Sequence, residues 1–282
     1  MADQSPGPHP LGDGRASANS SRGLLMTLLG EFVLPSGGSA WTQTLIGAFD
    51  LVSVQEKAAR QALARAEADG WLARERHGRR TRWSLTDPAR GMLEEGAERI
   101  YGFGQTRRAW DGEWIVLLAS VPERERATRY RMTQRLSWAG FGPLGQGTWI
   151  CPWTDREAAA QTILDDLDVE ATSFRGPVGA LGSGEALARR AWPLDDLTLA
   201  YRAFLDDART HDAPPPPSDA VADLAQLVHR WRRFPFLDPD LPGELLPDGW
   251  PGREAAERFA EVRAQCRAPA RDWWADRESS LS

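Results

Sequence analysis

The sequence predicts a multidomain α+β protein: an N-terminal winged helix-turn-helix, a middle ferredoxin-like α+β domain and a mainly helical C-terminal domain. Three observations carry this expectation. Residues 20–105 run through three amphipathic helices, a β-hairpin and a fourth helix; residues 110–176 alternate strand and helix; residues 185–282 keep helical periodicity without a strand pattern. The 282-residue length suits two to three domains of the common size, about 100–150 residues each. With 41% hydrophobic and 26% charged residues, the composition is that of an ordinary globular protein, which excludes a chain disordered throughout.

Residues 1–19 are rich in Gly, Pro, Ser and Asn and are expected to be a disordered tail, because their few apolar side chains cannot offset the entropy of ordering. From Ser20 or Ser21, Leu24, Leu25, Leu28, Leu29 and Phe32 recur at helical spacing until Pro35, Gly37 and Gly38 stop the run. Arg22 followed by Gly23 to Gly30 imitates the start of a secretory signal. Glu31 interrupts it and no small-residue cleavage site follows, so the stretch reads as a buried helix face. Thr42–Asp50 is a second helix with Leu45, Ile46 and Phe49 on one side. A third begins near Ser53, where Ser53 and Glu56 have capping-box spacing, and ends at Gly70. The period then becomes strand-like: Trp71–Arg76, a turn at His77-Gly78-Arg79, and Arg80–Leu85 with Thr81, Trp83 and Leu85 on alternate positions. Asp87 as cap and Pro88 at the first helical position open the fourth helix, which runs towards Tyr101.

The middle domain follows as strand Trp114–Ser120, charged helix Arg124–Trp138, strand Thr148–Cys151 after a glycine-rich turn, helix Ala158–Leu167 and strand Val169–Phe174. Residues 176–184 read as a Gly-rich linker. Helices are then expected at Glu185–Trp192, Leu194–Asp207, Ser218–Arg233 and Arg253–Arg267, with a break at Pro214–Pro217.

Several function classes drop out. The longest strongly apolar stretch, Trp114–Ala119, is far short of the ~20 residues that span a bilayer, so no membrane association is expected. Two cysteines, Cys151 and Cys266, make no disulfide framework and point to the cytoplasm. The histidines His9, His77, His211 and His229 lack metal-ligand spacing, so neither a metal nor a cofactor is expected. Gly140-x-Gly142-x-x-Gly145 matches a dinucleotide fingerprint as a string, but it follows a helix, precedes a strand and contains Pro143, the reverse of the context required. His229 with Asp238 or Asp240 lacks a nucleophile in any recognisable elbow, and Asp165, Asp166, Asp168 and Glu170 read as a solvated helix end. No enzymatic activity is expected.

Charge distribution says more than net charge. The chain carries −6 overall, yet Lys57–Arg82 holds eight cations against three carboxylates, a local reversal that marks an anionic partner. On the third helix Ala59, Ala62, Leu63 and Ala66 fall on one face, while Lys57, Gln61, Ala64 and Ala68 fall opposite, flanked by Arg60 and Arg65. Glutamine pairs bidentately with adenine, Arg and Lys reach guanine or phosphate, and alanine allows close approach to a thymine methyl. The predicted double-stranded DNA contacts are therefore Lys57, Arg60, Gln61, Ala64 and Arg65 on the helix, with Arg79, Arg80 and Arg82 on the hairpin.

Leu63–Leu72 followed by Arg79-Arg80 and Leu85-Thr86 resembles the N-terminal domain of the phenylacetic acid degradation regulators, the PaaX family. Trp138-x-Gly140-Phe141-Gly142 ahead of Trp149-Ile150 resembles that family's middle domain, which is similar in fold to the small CRISPR-associated endoribonucleases. The metal-binding aspartate that ends their first strand is absent here, where the strand ends Ala119-Ser120-Val121. Leu227-Val228-His229-x-Trp231-Arg232-x-Phe234-Pro235, with Asp238-Pro239-x-Leu241-Pro242, Leu245-Leu246-Pro247 and Trp250-Pro251-Gly252, resembles the C-terminal domain. The resemblance implies a homodimeric repressor of a palindromic operator, released by an aryl- or other acyl-CoA ester such as phenylacetyl-CoA. The phosphates of such an effector need arginines beside an apolar slot. Arg129, Arg131 and Arg135 on the middle helix, and His229, Arg232 and Arg233 beside Trp231, combine cations with neighbouring tryptophans; the bland alternative is that these arginines pair with the chain's own carboxylates. The rival functions are an enzyme acting on acyl-CoA and a DNA-binding scaffold without a ligand.

Overall fold

The computed structural model describes residues 21–104, 108–208, 210 and 213–281; the tail expected at 1–19 lies outside them. The fold is mixed α+β, and the described strands form two sheets of three and four strands. The chain divides into two compact units. One takes residues up to Phe103, Ala203–Phe234 and those from Glu254 onward; the other takes Gly104–Arg202 and Pro235–Arg253.

In the first unit, helix α1 (Ser21–Leu28) buries Leu24, Leu25, Met26 and Leu28, as its apolar spacing predicts. It continues as a π-helical turn over Leu29–Val33, closed by the Leu34 N–H on the Leu29 carbonyl at 2.8 Å. Gly37 and Gly38, at φ 91° and 80°, then turn the chain into β1 (Ser39–Trp41). This strand is absent from the sequence expectation, since three residues display no period; its partner is β3 (Arg80–Leu85), with Ser39 opposite Ser84 and Trp41 opposite Arg82.

Helix α2 (Thr42–Leu51) ends in a turn in which the Val54 N–H reaches the Phe49 carbonyl at 2.9 Å and Ser53 takes φ 60°. Ser53 is thereby spent on closing α2, so the expected Ser53–Glu56 capping box does not form; Gln55 stands at the N-cap of α3 (Glu56–Ala68) without a side-chain bond. Gly70, at φ 75°, ends α3 by the same device, with the Trp71 N–H on the Ala66 carbonyl at 2.8 Å. Strand β2 (Leu72–His77) pairs with β3, and because His77 lies opposite Arg80 the turn is the two residues Gly78-Arg79. Thr86, rather than Asp87, caps α4 (Asp87–Gly102): its Oγ1 accepts the Ala89 N–H at 3.4 Å. The sheet order β1-β3-β2 leaves β2 at the edge, where every residue after Leu72 is exposed.

Two C-terminal helices complete this unit. Helix α9 (Pro217–Trp231) packs on α1 and α2 and buries Val221, Leu224, Val228 and Trp231. Helix α11 (Gly252–Leu281) runs far past Arg267, the end expected from sequence, and carries Pro269 inside it.

The second unit is built on β4 (Trp114–Ala119), α5 (Arg126–Trp138), β5 (Gly142–Gly145), β6 (Thr148–Cys151), α6 (Glu157–Asp166) and β7 (Ala171–Gly176). Its sheet runs β5-β6-β4-β7, and each neighbouring pair is antiparallel. Alternation along β4 sorts the two faces. Ile115, Leu117 and Ala119 pack with Met132 and Leu136 of α5 and Ala160 and Leu164 of α6; Trp114 packs with Ile150 and with Ala188, Ala191 and Trp192 of the α7 region (α7, Gly184–Ala191). Strand β5 replaces part of the expected glycine-rich turn. Gly140, at φ 86°, closes α5, and a Cβ on Gly142 would come within 2.5 Å of the Trp192 ring, so these glycines serve a helix end and a close approach. The chain passes between the units four times: after Phe103, within α8 (Leu194–Asp207), within α10 (Phe234–Leu237) and in the first turn of α11.

Candidate nucleic-acid interface

Helix α3 separates its residues as its spacing predicts. Ala59, Ala62, Leu63 and Ala66 are buried, and Lys57, Arg60, Gln61, Ala64, Arg65 and Ala68 are exposed. The small buried face lets α3 lie close against α1 and α2, which holds its outer face rigidly. An ion pair between Arg74 of β2 and Glu67 of α3, at 3.2 Å, joins the hairpin to the helix.

The cations on this surface fall into two groups. Arg60 is held to Glu56 one turn earlier, with Nη2 to Oε1 at 2.7 Å, an exposed pair that costs little to open. Among the described residues the side chains of Lys57, Gln61, Arg65, Arg76 and Arg79 make no hydrogen bond or ion pair with the protein, so their donors stay with solvent. Arg82 differs: its Nε donates to Ser39 Oγ at 3.0 Å, its Nη2 lies 3.7 Å from Glu278, and its guanidinium stands 5.1 Å from the centre of the Trp41 ring. Arg80 donates to the Leu281 carbonyl. The end of α11 thus reaches the hairpin, and Glu278 also accepts the Trp41 N–H at 3.0 Å. Glu278 and Leu281 escape sequence reasoning, which ends the helix before Pro269.

The residues expected to hold an effector are placed as follows. Arg129 donates to the Val121 carbonyl at 3.2 Å, Arg131 to Thr128 Oγ1 at 3.4 Å, and Arg135 pairs with Asp166 at 2.6 Å. His229 is buried, its Nδ1 3.3 Å from Thr27 Oγ1. Trp231 is wholly buried: its ring stacks on Phe259 at 4.7 Å and its Nε1 donates to the Ile100 carbonyl at 3.0 Å. Arg233 is exposed. Arg232 has its Nε buried without a partner; burial first, and then the charge of Arg233, pull its pKa down to about 10.

Among the described residues no group of three His, Cys, Asp or Glu side chains is placed to hold a metal ion. Cys151 and Cys266 are both buried, and burial raises both thiols, that of Cys266 to about 11. Asp238 accepts from the Tyr201 hydroxyl at 2.7 Å and the Asp240 N–H at 2.8 Å, and loss of solvation pushes its carboxyl up to about 6. No described helix is long and apolar enough to cross a membrane.

Comparison with known proteins agrees with this architecture. Three profiles match in chain order: a PaaX-like protein profile over residues 20–89, a PaaX protein central Cas2-like domain over 107–188 and a PaaX-like protein C-terminal domain over 192–276. The transcriptional repressor PaaX of Escherichia coli (strain K12) is 29% identical over 252 residues, covering 84% of this chain and 78% of that protein. Among solved structures, the uncharacterized protein Rv0674 from Mycobacterium tuberculosis superimposes with a TM-score of 0.60 at 23% identity, covering 92% of this chain and 100% of the other.

Proposed function

Because this chain belongs to the PaaX-like family, we propose that it is a transcriptional repressor that binds double-stranded operator DNA through α3 and the β2–β3 hairpin, and not an enzyme. The observation that carries this reading is the exposed face of Lys57, Gln61, Ala64 and Arg65, uncommitted to the rest of the described protein, beside a cationic hairpin with a glycine at its tip. In this reading α2, α3 and the hairpin act as a winged helix-turn-helix: α3 enters the major groove, Gln61 and Arg60 read bases, and Arg79 and Arg80 contact backbone or minor groove. Arg82 reaches a phosphate only by giving up Ser39 and Glu278.

A single such module makes few base contacts, so specificity requires two copies on a palindrome. The second unit, whose strand order is that of a ferredoxin-like fold, supplies much of the dimer contact in this reading; Leu118 and Phe174 stand 45% and 59% exposed on the face of its sheet that α5 and α6 leave open. An acyl-CoA ester, phenylacetyl-CoA being the one the family resemblance names, releases the DNA. Its candidate ligands form two separate groups, Arg129, Arg131 and Arg135 in the second unit and His229, Trp231, Arg232 and Arg233 in the first, and the unpartnered Nε of Arg232 favours the latter.

The test is a gel shift on the DNA upstream of the protein's own gene, with and without a panel of acyl-CoA esters. Gln61→Ala is expected to weaken operator binding by about 1–3 kcal/mol and to relax preference at one base position. Unchanged affinity and base preference would remove α3 from the groove. An operator complex indifferent to every ester would favour the ligand-free scaffold.

A further inference from the structure

We propose that the first unit carries a second ligand site, for a small carboxylic acid with a flat apolar body, in the cavity between the π-helical turn, α9 and α11. The cavity is about 260 Å³ and its walls include Phe32, Pro35, Ser36, Arg267, Arg271 and Trp274. That is just below the roughly 300–1,000 Å³ of drug-sized pockets and suits a single ring with one acid group. None of the proposed acyl-CoA ligands lines it.

Three observations converge on the ligand's chemistry. Trp274 is 2% exposed and its Nε1 has no hydrogen-bond partner, a donor desolvated without compensation. Its ring stacks on Phe32 at 5.1 Å and 11°, giving the cavity an aromatic wall. Arg267 and Arg271 lie one turn apart on α11, exposed, and pair with no carboxylate among the described residues. Arg135, Arg175, Arg189, Arg230 and Arg263 all have ion-pair partners. Spacing of 267, 271 and 274 puts both guanidinium groups and the indole on one helix stripe. The one carboxylate in the lining, Glu31, is already occupied: Arg263 holds both its oxygens at 3.1 and 3.3 Å and the Tyr101 hydroxyl donates to it. The mouth is therefore positive and the floor apolar.

A guanidinium fork matches the planar, two-oxygen geometry of a carboxylate, and the edges of Phe32, Pro35 and Trp274 make the lining beneath it apolar, with the unpartnered indole N–H the nearest further donor if the ring shifts to meet a ligand. The π-helical winding at Leu29–Val33, a rare form that clusters at functional sites, shapes the wall opposite α11. One turn beyond Trp274 is Glu278, which binds Trp41 and Arg82, so a ligand here sits beside the helix segment that holds the hairpin.

The test is ¹⁹F NMR of 4-fluorobenzoate with the full chain. Wild-type protein should broaden the fluorine line, and excess benzoate should reverse it while the same concentration of inorganic phosphate does not. Arg267→Ala with Arg271→Ala, both exposed and so compatible with folding, should weaken binding at least tenfold; Trp274→Phe, which keeps a ring and loses the N–H, should weaken it several-fold. No broadening by wild type, equal broadening by the double arginine variant, or equal displacement by phosphate would overturn the proposal. The readout involves no DNA, so its failure leaves the repressor reading standing, and failure of the gel shift leaves this site standing.

Discussion

Ala64→Glu should abolish operator binding, lowering affinity at least a hundredfold, while leaving the thermal stability of the protein unchanged. Ala64 is exposed at the middle of the α3 face, one turn from Arg60 and next to Arg65. A carboxylate there would be driven against phosphates and against the two-acceptor edge of guanine in the major groove, and the longer side chain would hold the helix away from the bases. Because the position is solvent-exposed, the change in folding should stay within about 0.5 kcal/mol. A gel shift with a parallel thermal melt checks both halves. Near-normal operator affinity would mean that α3 does not enter the groove.

Trp231→Ala should have the largest effect on stability. The ring is fully buried, stacked on Phe259 of α11 at 4.7 Å and packed against Phe204 and Phe234 at 5.4 Å, and its indole N–H satisfies the Ile100 carbonyl of α4. Removing it leaves a cavity among several elements and an unpaired carbonyl. The expected cost is about 3–5 kcal/mol for truncating a buried aromatic, measured by urea denaturation. Trp231→Phe retains most of the packing and loses the hydrogen bond, for a smaller cost of about 1 kcal/mol. An alanine variant no less stable than the phenylalanine variant would show that the C-terminal helices do not stabilise the first unit.

These two residues also mark what is legible in the sequence. The α3 face can be read because four small or apolar residues recur at i, i+3, i+4 and i+7, and a helix that buries alanines must lie close to its neighbours, leaving the cations outside. The hairpin is legible from alternation and from Gly78, although the expected turn is one residue too long. Pairings that join distant parts of the chain are not legible. β1 is three residues long and exists only because β3, some forty positions later, pairs with it. Ser53 has the spacing of a cap, but closing α2 needs a left-handed residue at that point, and the backbone requirement prevails.

Pro269 misleads in the opposite direction. Proline removes one backbone donor and usually ends a helix; here α11 continues through it, with Ala270 and Trp274 buried on the far side. A helix ended at Arg267 hides Arg271, Trp274, Glu278 and Leu281, which form the cavity and the tie to the hairpin. The arginines expected to hold an effector show the same limit. The carboxylate that meets Arg135 is Asp166, thirty-one residues away and on another helix, and nothing in local spacing reports such a pairing.

The most direct test of the DNA-binding surface is the salt dependence of binding, compared between wild type and Arg79→Ala with Arg80→Ala. Each neutralised phosphate releases condensed counterions, so the slope of log K against log[salt] reports how many phosphates the protein engages, at about 0.9 for each on duplex DNA. The double variant is expected to bind operator and random DNA more weakly by the same factor, with a slope shallower by about one for each phosphate it no longer neutralises. If it binds operator with wild-type affinity and slope at every salt concentration, the hairpin is not at the DNA and the docking of this unit is wrong.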